Sequence, residues 1–163
     1  MIIIKRVKKS VISIIVFFLR RALLATYKLD KHVKQEVACW NEGSVVVIEA
    51  FKNGPRINLA KESNKLVHKK HVEKDKINVY IMFKSINSSF EVFTGTIGLD
   101  RAYCENRMII KGDLFMTMSI VRIFNICEYY LFPKFIWMKI ISEKPKTSSN
   151  SLLIYIGTIF GIK

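Results

Sequence analysis

Residues 76–83 read Lys-Ile-Asn-Val-Tyr-Ile-Met-Phe, with apolar side chains at every second position from Ile77 onward. A period of two is typical of a strand that places one face on a hydrophobic core. On the N-terminal side, two apolar stretches, 45–51 and 56–60, flank the turn 53–55 (Asn-Gly-Pro) and predict a hairpin. Residues 65–68 predict another short strand, so the middle of the chain predicts an antiparallel sheet.

On the C-terminal side of this strand the period lengthens to that of helices. Ser85 precedes apolar residues at 86, 90 and 93, and Gly95 is a C-terminal stop. A second short helix fits 99–105, and the strand 107–111 ends at Gly112. Asp113 is placed to cap the N-terminus of a long helix that Pro133 interrupts, and 134–141 predicts one more helical segment.

The first 34 residues carry nine lysines and arginines but one acid, Asp30. The apolar run 11–19 lies between two of these basic clusters. As a helix it would rise only about 14 Å, half of a hydrocarbon core of about 30 Å. Lengthening it would bury Arg20 and Arg21 at about 2.5–3.5 kcal/mol each. A spanning segment and a signal peptide are therefore disfavoured, which leaves a helix on an anionic leaflet or a helix on the protein's own core.

The other end of the chain is also apolar. Residues 143–151 are typical of a linker, and 152–162 form an apolar tail too short to span a bilayer. This tail could be a last strand, a docked segment or a second surface anchor. The chain thus divides into a basic apolar N-terminal helix (1–36), an α+β domain (37–133) and a C-terminal helix with its tail (134–163).

The composition limits the functional classes. The chain has 163 residues, half of them apolar, and a net charge of +14 that implies an anionic partner. Three dispersed cysteines give no disulfide framework or thiol zinc site. No catalytic motif is present, and His68 and His71 lie in a basic turn unsuited to a metal. We expect no enzyme activity, cofactor or metal, and nucleic acid is a less favoured partner because the basic residues cluster beside an apolar helix.

The segment 77–113 resembles the sterol-binding domain of the sterol carrier protein-2 family. A strand ending at Phe83, a helix ending in Thr94-Gly95, then Ala102-Tyr103 and the strand 107–113 follow the family's order. The chain has Asn106 where the family often has glycine. The resemblance implies an α+β fold with a curved antiparallel five-stranded sheet, covered on one face by helices. It also implies a hydrophobic tunnel for sterols, fatty acyl chains or other lipids, without catalysis.

Two sets of residues are predicted to carry the function. Large or pliable side chains on the predicted strands and helices are candidate ligand contacts, although ordinary core packing explains each of them as well: Phe83, Phe90, Phe93, Tyr103, Met108, Ile110, Phe115 and Met118. The basic and aromatic residues of the first helix are candidate membrane contacts: Lys5, Arg6, Lys8, Lys9, Phe17, Phe18, Arg20 and Arg21.

Together these features predict a non-enzymatic protein that binds a sterol-like, fatty acyl or isoprenoid lipid in an internal tunnel. We expect it in the cytoplasm, peripheral on the anionic inner face of the membrane. The alternative is an accessory or scaffold protein with a filled core, which docks an acidic partner or a complex for lipid or quinone synthesis.

Overall fold

The computed structural model describes residues 2–141 and 143–161. Its helices are α1 (Ile2–Leu29), α2 (Lys31–Ala38), α3 (Ile86–Phe93), α4 (Leu99–Cys104), α5 (Leu114–Leu131), α6 (Lys134–Ile140) and α7 (Ser151–Phe160). Its strands are β1 (Val45–Glu49), β2 (Arg56–Glu62), β3 (Lys65–His68), β4 (Val79–Phe83) and β5 (Met108–Gly112).

The five strands form one sheet in the order β3-β2-β1-β4-β5. The pairs β1–β2, β2–β3 and β4–β5 are antiparallel, whereas β1 and β4 run parallel, with Val46 opposite Val79. The predicted five-stranded α+β fold is confirmed, but the expectation of a wholly antiparallel sheet is wrong at this central pair. The β2–β3 hairpin occupies one edge of β1, so β4 pairs with the opposite edge and arrives there in the same direction as β1.

Side-chain caps set the predicted helix starts. The Ser85 hydroxyl accepts a hydrogen bond from the Ser88 amide at 3.0 Å, and the Asp113 carboxylate accepts one from the Met116 amide at 2.6 Å. Gly112 ends β5 with a φ of +116°, and a Cβ there would lie 1.8 Å from the Asn78 carbonyl oxygen. Only glycine fits this close approach, which fixes the end of β5 against the start of β4.

The helices cover one face of the sheet, as predicted. Ile12 and Leu23 of α1 are fully buried and share one core with Ile57 and Leu59 of β2. Ile154 of α7 belongs to the same core, so both ends of the chain contribute to it. On the other face a smaller apolar cluster, Val45, Val47 and Ala60, is packed against Val67, Val72, Ile77 and Tyr80.

Asp30 ends the first helix and begins the second, where the sequence predicts one helical region over 1–36. Its buried carboxylate accepts hydrogen bonds from the His32 amide at 2.7 Å, the Tyr130 hydroxyl at 2.6 Å and the Ser148 amide at 2.8 Å. Burial alone would raise the pKa of Asp30, but these hydrogen bonds and one from Val33 outweigh it and lower the pKa. Asp30 therefore connects α1, α2, α5 and the segment that leads into α7.

The apolar tail forms α7, which packs on α1, so of the three possibilities for the tail the strand is wrong. Ile162, the last residue of the predicted tail, lies outside the described residues.

By length and hydropathy, 3–29 and 114–131 could each cross a membrane. The apolar run 11–19 is therefore part of a longer helix than the sequence suggested. Arg20 and Arg21 lie within this helix, since arginine is a good helix former. Arg20 bonds the His68 ring at 3.2 Å, and both guanidinium groups lie over the Phe17 ring. Of the apolar window of each helix, 39% in the first and 56% in the second is buried inside the protein, and a core helix passes the same test of length and hydropathy.

Candidate functional site

An apolar groove lies beside the edge strand β5, between α4 and α5. Because β5 ends at Gly112 and the Asp113 cap turns the chain at once into α5, the helix returns along the strand that precedes it. The groove has a volume of about 440 Å³. It is lined by Leu99, Asp100, Tyr103, Cys104, Met108, Ile110, Gly112, Leu114, Thr117, Met118 and Val121.

The groove has a buried floor and an exposed rim. Met108 and Leu99 in the floor are 4% and 5% exposed, whereas Leu114 and Tyr103 at the rim are 74% and 61% exposed. Large apolar side chains that stay exposed around a concave surface are typical of a binding site for an apolar partner.

Four of the eight predicted ligand contacts meet in this groove: Tyr103, Met108, Ile110 and Met118. The other four lie elsewhere. Phe83 and Phe93 pack edge to face in the core with ring centroids 5.3 Å apart, and the Phe90 ring lies under the Lys8 ammonium group. Phe115 is 61% exposed and does not line the groove.

The sequence did not predict three groove residues on α5, namely Leu114, Thr117 and Val121. Leu114, Thr117 and Val121 follow one another at helical spacing with Met118, so they share one side of the helix. Leu99 is the apolar residue that begins α4. The helical period of the sequence contains this signal, but nothing in it shows that this side of α5, rather than the side with Phe115, lies against β5.

Glu128 is a buried acid on α5, two turns beyond Val121 and on the same side of the helix. It is 5% exposed, and its Oε2 has no hydrogen-bond partner among the described residues. Burial, and next the negative charge of Asp100 at the groove, raise the pKa of Glu128 to about 8. Glu128 is therefore neutral at pH 7, and Asp100 is the one formally charged residue among those described that line the groove.

The sequence predicts an internal tunnel, whereas the apolar cavity in the structure is the open groove beside β5. The space between the sheet and α1 is filled by buried side chains such as Ile12, Val16 and Leu23, which are at most 5% exposed. The groove instead opens to solvent at the edge of the sheet.

The predicted membrane contacts lie on different sides of α1. Phe17 and Phe18 are 45% and 44% exposed, and Lys5, Arg6 and Lys9 are exposed as well. Lys8 donates a hydrogen bond to Asn87 of α3 at 2.9 Å. Arg20 and Arg21 are partly buried.

No protein-family model and no curated protein matches this chain. Several solved structures are similar to it, including the two that follow. One, described as "UbiJ-SCP2 Ubiquinone synthesis protein", is 13% identical over 61% of this chain and 76% of its own, with a TM-score of 0.42. The other, sterol carrier protein 2 like 2 from Aedes aegypti, is 10% identical over 56% of this chain and 88% of its own, with a TM-score of 0.33. The function of this chain is argued below from the groove.

Proposed function

We propose that this protein binds the hydrocarbon part of a lipid in the groove between α4, β5 and α5, without catalysing a reaction. The observation that carries the proposal is the groove itself, with its buried floor and exposed apolar rim. Its volume of about 440 Å³ is roughly three times that of an engineered apolar cavity of about 150 Å³ that accommodates benzene. An acyl, isoprenoid or sterol-like ligand of ten or more carbons is of suitable size.

The size of the groove predicts how affinity depends on chain length. Each methylene transferred from water to an apolar surface contributes about 0.8 kcal/mol, which is a factor of three to four in the dissociation constant. Affinity for straight-chain alcohols should therefore rise with chain length until the groove is full and then stop rising. The open side of the groove makes the observed factor per methylene smaller than this limit.

We further propose that the protein works in the cytoplasm as a peripheral protein on the anionic inner leaflet. Supporting this, the outward sides of α1 and α7 expose apolar residues that include Ile14, Phe17, Phe18, Ile156 and Phe160. Exposed apolar residues on two helices in contact, on a protein with net charge +14, suit an anionic lipid surface. The buried inner face of α1 supports a helix that lies on the bilayer in preference to one that crosses it.

The groove is tested by displacement of a neutral fluorescent probe, N-phenyl-1-naphthylamine, with alcohols of six to sixteen carbons. Met118→Trp narrows the groove at its rim, and Phe115→Trp is the matched control, because Phe115 lies three residues away on the same helix, is similarly exposed and does not line the groove. We expect Met118→Trp to weaken binding at least fivefold and Phe115→Trp to leave it within twofold of the wild type. Equal effects of the two variants, or no binding by the wild type, would overturn the proposal.

The membrane is tested separately by co-sedimentation with vesicles of phosphatidylglycerol and phosphatidylcholine. Phe17→Ser with Phe18→Ser should reduce sedimentation with anionic vesicles, while probe binding in the groove remains. If the wild type binds neither vesicles nor apolar probes, the docking of an acidic protein partner is the function that survives.

A further inference from the structure

We propose a second binding site, separate from the groove: a pocket of four lysines that takes a phosphate ester or a diphosphate. We call it the lysine pocket, and it has a volume of about 440 Å³. Its lysines are Lys5, Lys9, Lys52 and Lys84. The remaining lining residues are Phe51, Ser85, Ile86 and Asn87.

The pocket is assembled by three separate parts of the chain. Lys5 and Lys9 lie one turn apart on α1, Lys52 lies in the turn between β1 and β2, and Lys84 follows β4 directly. Two contacts hold α1 in place over the pocket: Lys8 donates to Asn87 at 2.9 Å, and the Lys9 ammonium lies 5.6 Å from the centre of the Phe51 ring. The parallel pairing of β1 with β4 brings Lys52 and Lys84 to the same end of the sheet.

The charges in the pocket are not balanced by acids. None of the described residues that line the pocket is an aspartate or glutamate. The Lys84 ammonium group donates a hydrogen bond to the neutral side-chain oxygen of Asn106 at 2.6 Å, outside the pocket lining. Like charges one helical turn apart, such as Lys5 and Lys9, destabilise a helix. A bound anion removes this repulsion, and a lysine ammonium group is a compact point charge suited to phosphate.

The size and position of the pocket define the ligand further. Four lysines match a group with two or more negative charges, and Phe51 and Ile86 offer apolar surface to whatever carries that group. Lys5 and Lys9 lie on the opposite side of α1 from Ile3, Val7 and Ile14, which are exposed. The pocket is thus a concave site that lies apart from the exposed apolar residues of α1. Because its lysines surround a common space, the pocket binds a phosphate group more specifically than lysines dispersed over a basic surface would.

The test uses inorganic diphosphate and isothermal titration calorimetry on the full chain at 0.15 M salt. Two variants remove charge from the pocket, Lys5→Gln with Lys9→Gln and Lys52→Gln with Lys84→Gln. The matched control, Lys31→Gln with Lys34→Gln, removes the same charge from α2 at the other end of α1. We expect each pocket variant to weaken diphosphate binding at least tenfold, and the control to change it less than twofold.

A vesicle measurement separates the sources of the phosphate group. If phosphatidic acid vesicles are preferred over phosphatidylglycerol vesicles of equal charge, and only the pocket variants lose the preference, the ligand is a lipid headgroup. If diphosphate binds and the headgroups are not distinguished, the ligand is a soluble phosphate compound; both results support the site. The site is overturned if diphosphate does not bind at millimolar concentration, if the α2 control loses as much affinity as the pocket variants, or if only an RNA oligonucleotide binds. None of these outcomes depends on the groove, which the probe displacement tests alone.

Discussion

Replacing Glu128 with glutamine removes a carboxyl group that the folded state keeps neutral. The pKa of Glu128 is raised from 4.5 to about 8 by burial and then by the charge of Asp100. Below pH 4.5 the side chain is neutral in both the folded and the unfolded state. Between pH 4.5 and 8 the unfolded chain loses its proton while the folded protein keeps it, so the free energy of unfolding falls as the pH rises. Above pH 8 both states are ionised and the loss is complete.

The size of this effect follows from the two pKa values. A difference of one pH unit in pKa between the folded and unfolded states corresponds to about 1.4 kcal/mol, so the complete loss is on the order of 5 kcal/mol. This is comparable with the whole stability of a small domain, about 5–15 kcal/mol. Glutamine has nearly the same shape and does not ionise, so the Glu128→Gln protein does not suffer this loss.

The assay is urea unfolding of both proteins between pH 5.5 and pH 9. We expect the stability of Glu128→Gln relative to the wild type to increase by about 3 kcal/mol over this range. Glu73→Gln, at a glutamate whose side chain is 74% exposed, is the control and should show no such increase. If the curves of the wild type and Glu128→Gln stay parallel across the range, Glu128 is not held neutral and the account of this buried acid is wrong.

Four further predictions concern other parts of the molecule. Asp30→Ala removes the cap of α2 and the hydrogen bonds from Tyr130 and Ser148 to a buried carboxylate, so we expect urea unfolding at pH 7 to show a loss of stability of about 3 kcal/mol or more. Because the pKa of Asp30 is lowered in the folded protein, the stability difference between the variant and the wild type should shrink as the pH falls below 3.8. Maleimide should label the exposed thiols of Cys39 and Cys104 but not the buried Cys127, whose pKa burial raises to about 12. A long-chain alcohol in the groove should slow labelling of Cys104 alone, as measured by mass spectrometry of peptides, and equal slowing at Cys39 would contradict the position of the site. Gly112→Ala should lower the melting temperature markedly, because the added Cβ would lie 1.8 Å from a backbone oxygen at a positive φ, and an unchanged melting temperature would contradict that geometry.

The parts of the fold that depend on nearby residues could be predicted from the sequence. The strand ending at Phe83, the caps at Ser85 and Asp113 and the stop at Gly95 all follow from local patterns, and the structure has each of them. The parallel pairing of β1 with β4 could not be predicted, because either edge of β1 accepts a strand and only the rest of the sheet decides which one is free.

The candidate site could be predicted only in part, because the sequence shows the type of each side chain but not its packing partners. The sequence shows which residues are large and apolar, and this was enough to place Met108 and Met118 among the candidates. It does not show that Phe83 and Phe93 would pack on each other, or that α1 would fill the space above the sheet. The helix break at Asp30 had a recognisable signal, an aspartate directly before residues of helical character, but the basic and apolar composition around it concealed the boundary.

α1 precedes β2, β3 and α7, on which it packs, and this order in the chain affects the order of events on the ribosome. α1 is complete at Leu29, its partners in β2 and β3 are complete about 40 residues later, and α7 is complete about 130 residues later. At a synthesis rate of about 5–20 residues per second, roughly 2–8 s pass before β2 and β3 are complete and roughly 7–26 s before α7 is complete. During this interval the buried face of α1 lacks these partners in its own chain, so it is accessible to chaperones and, under the membrane binding proposed above, to a lipid surface before the protein has folded.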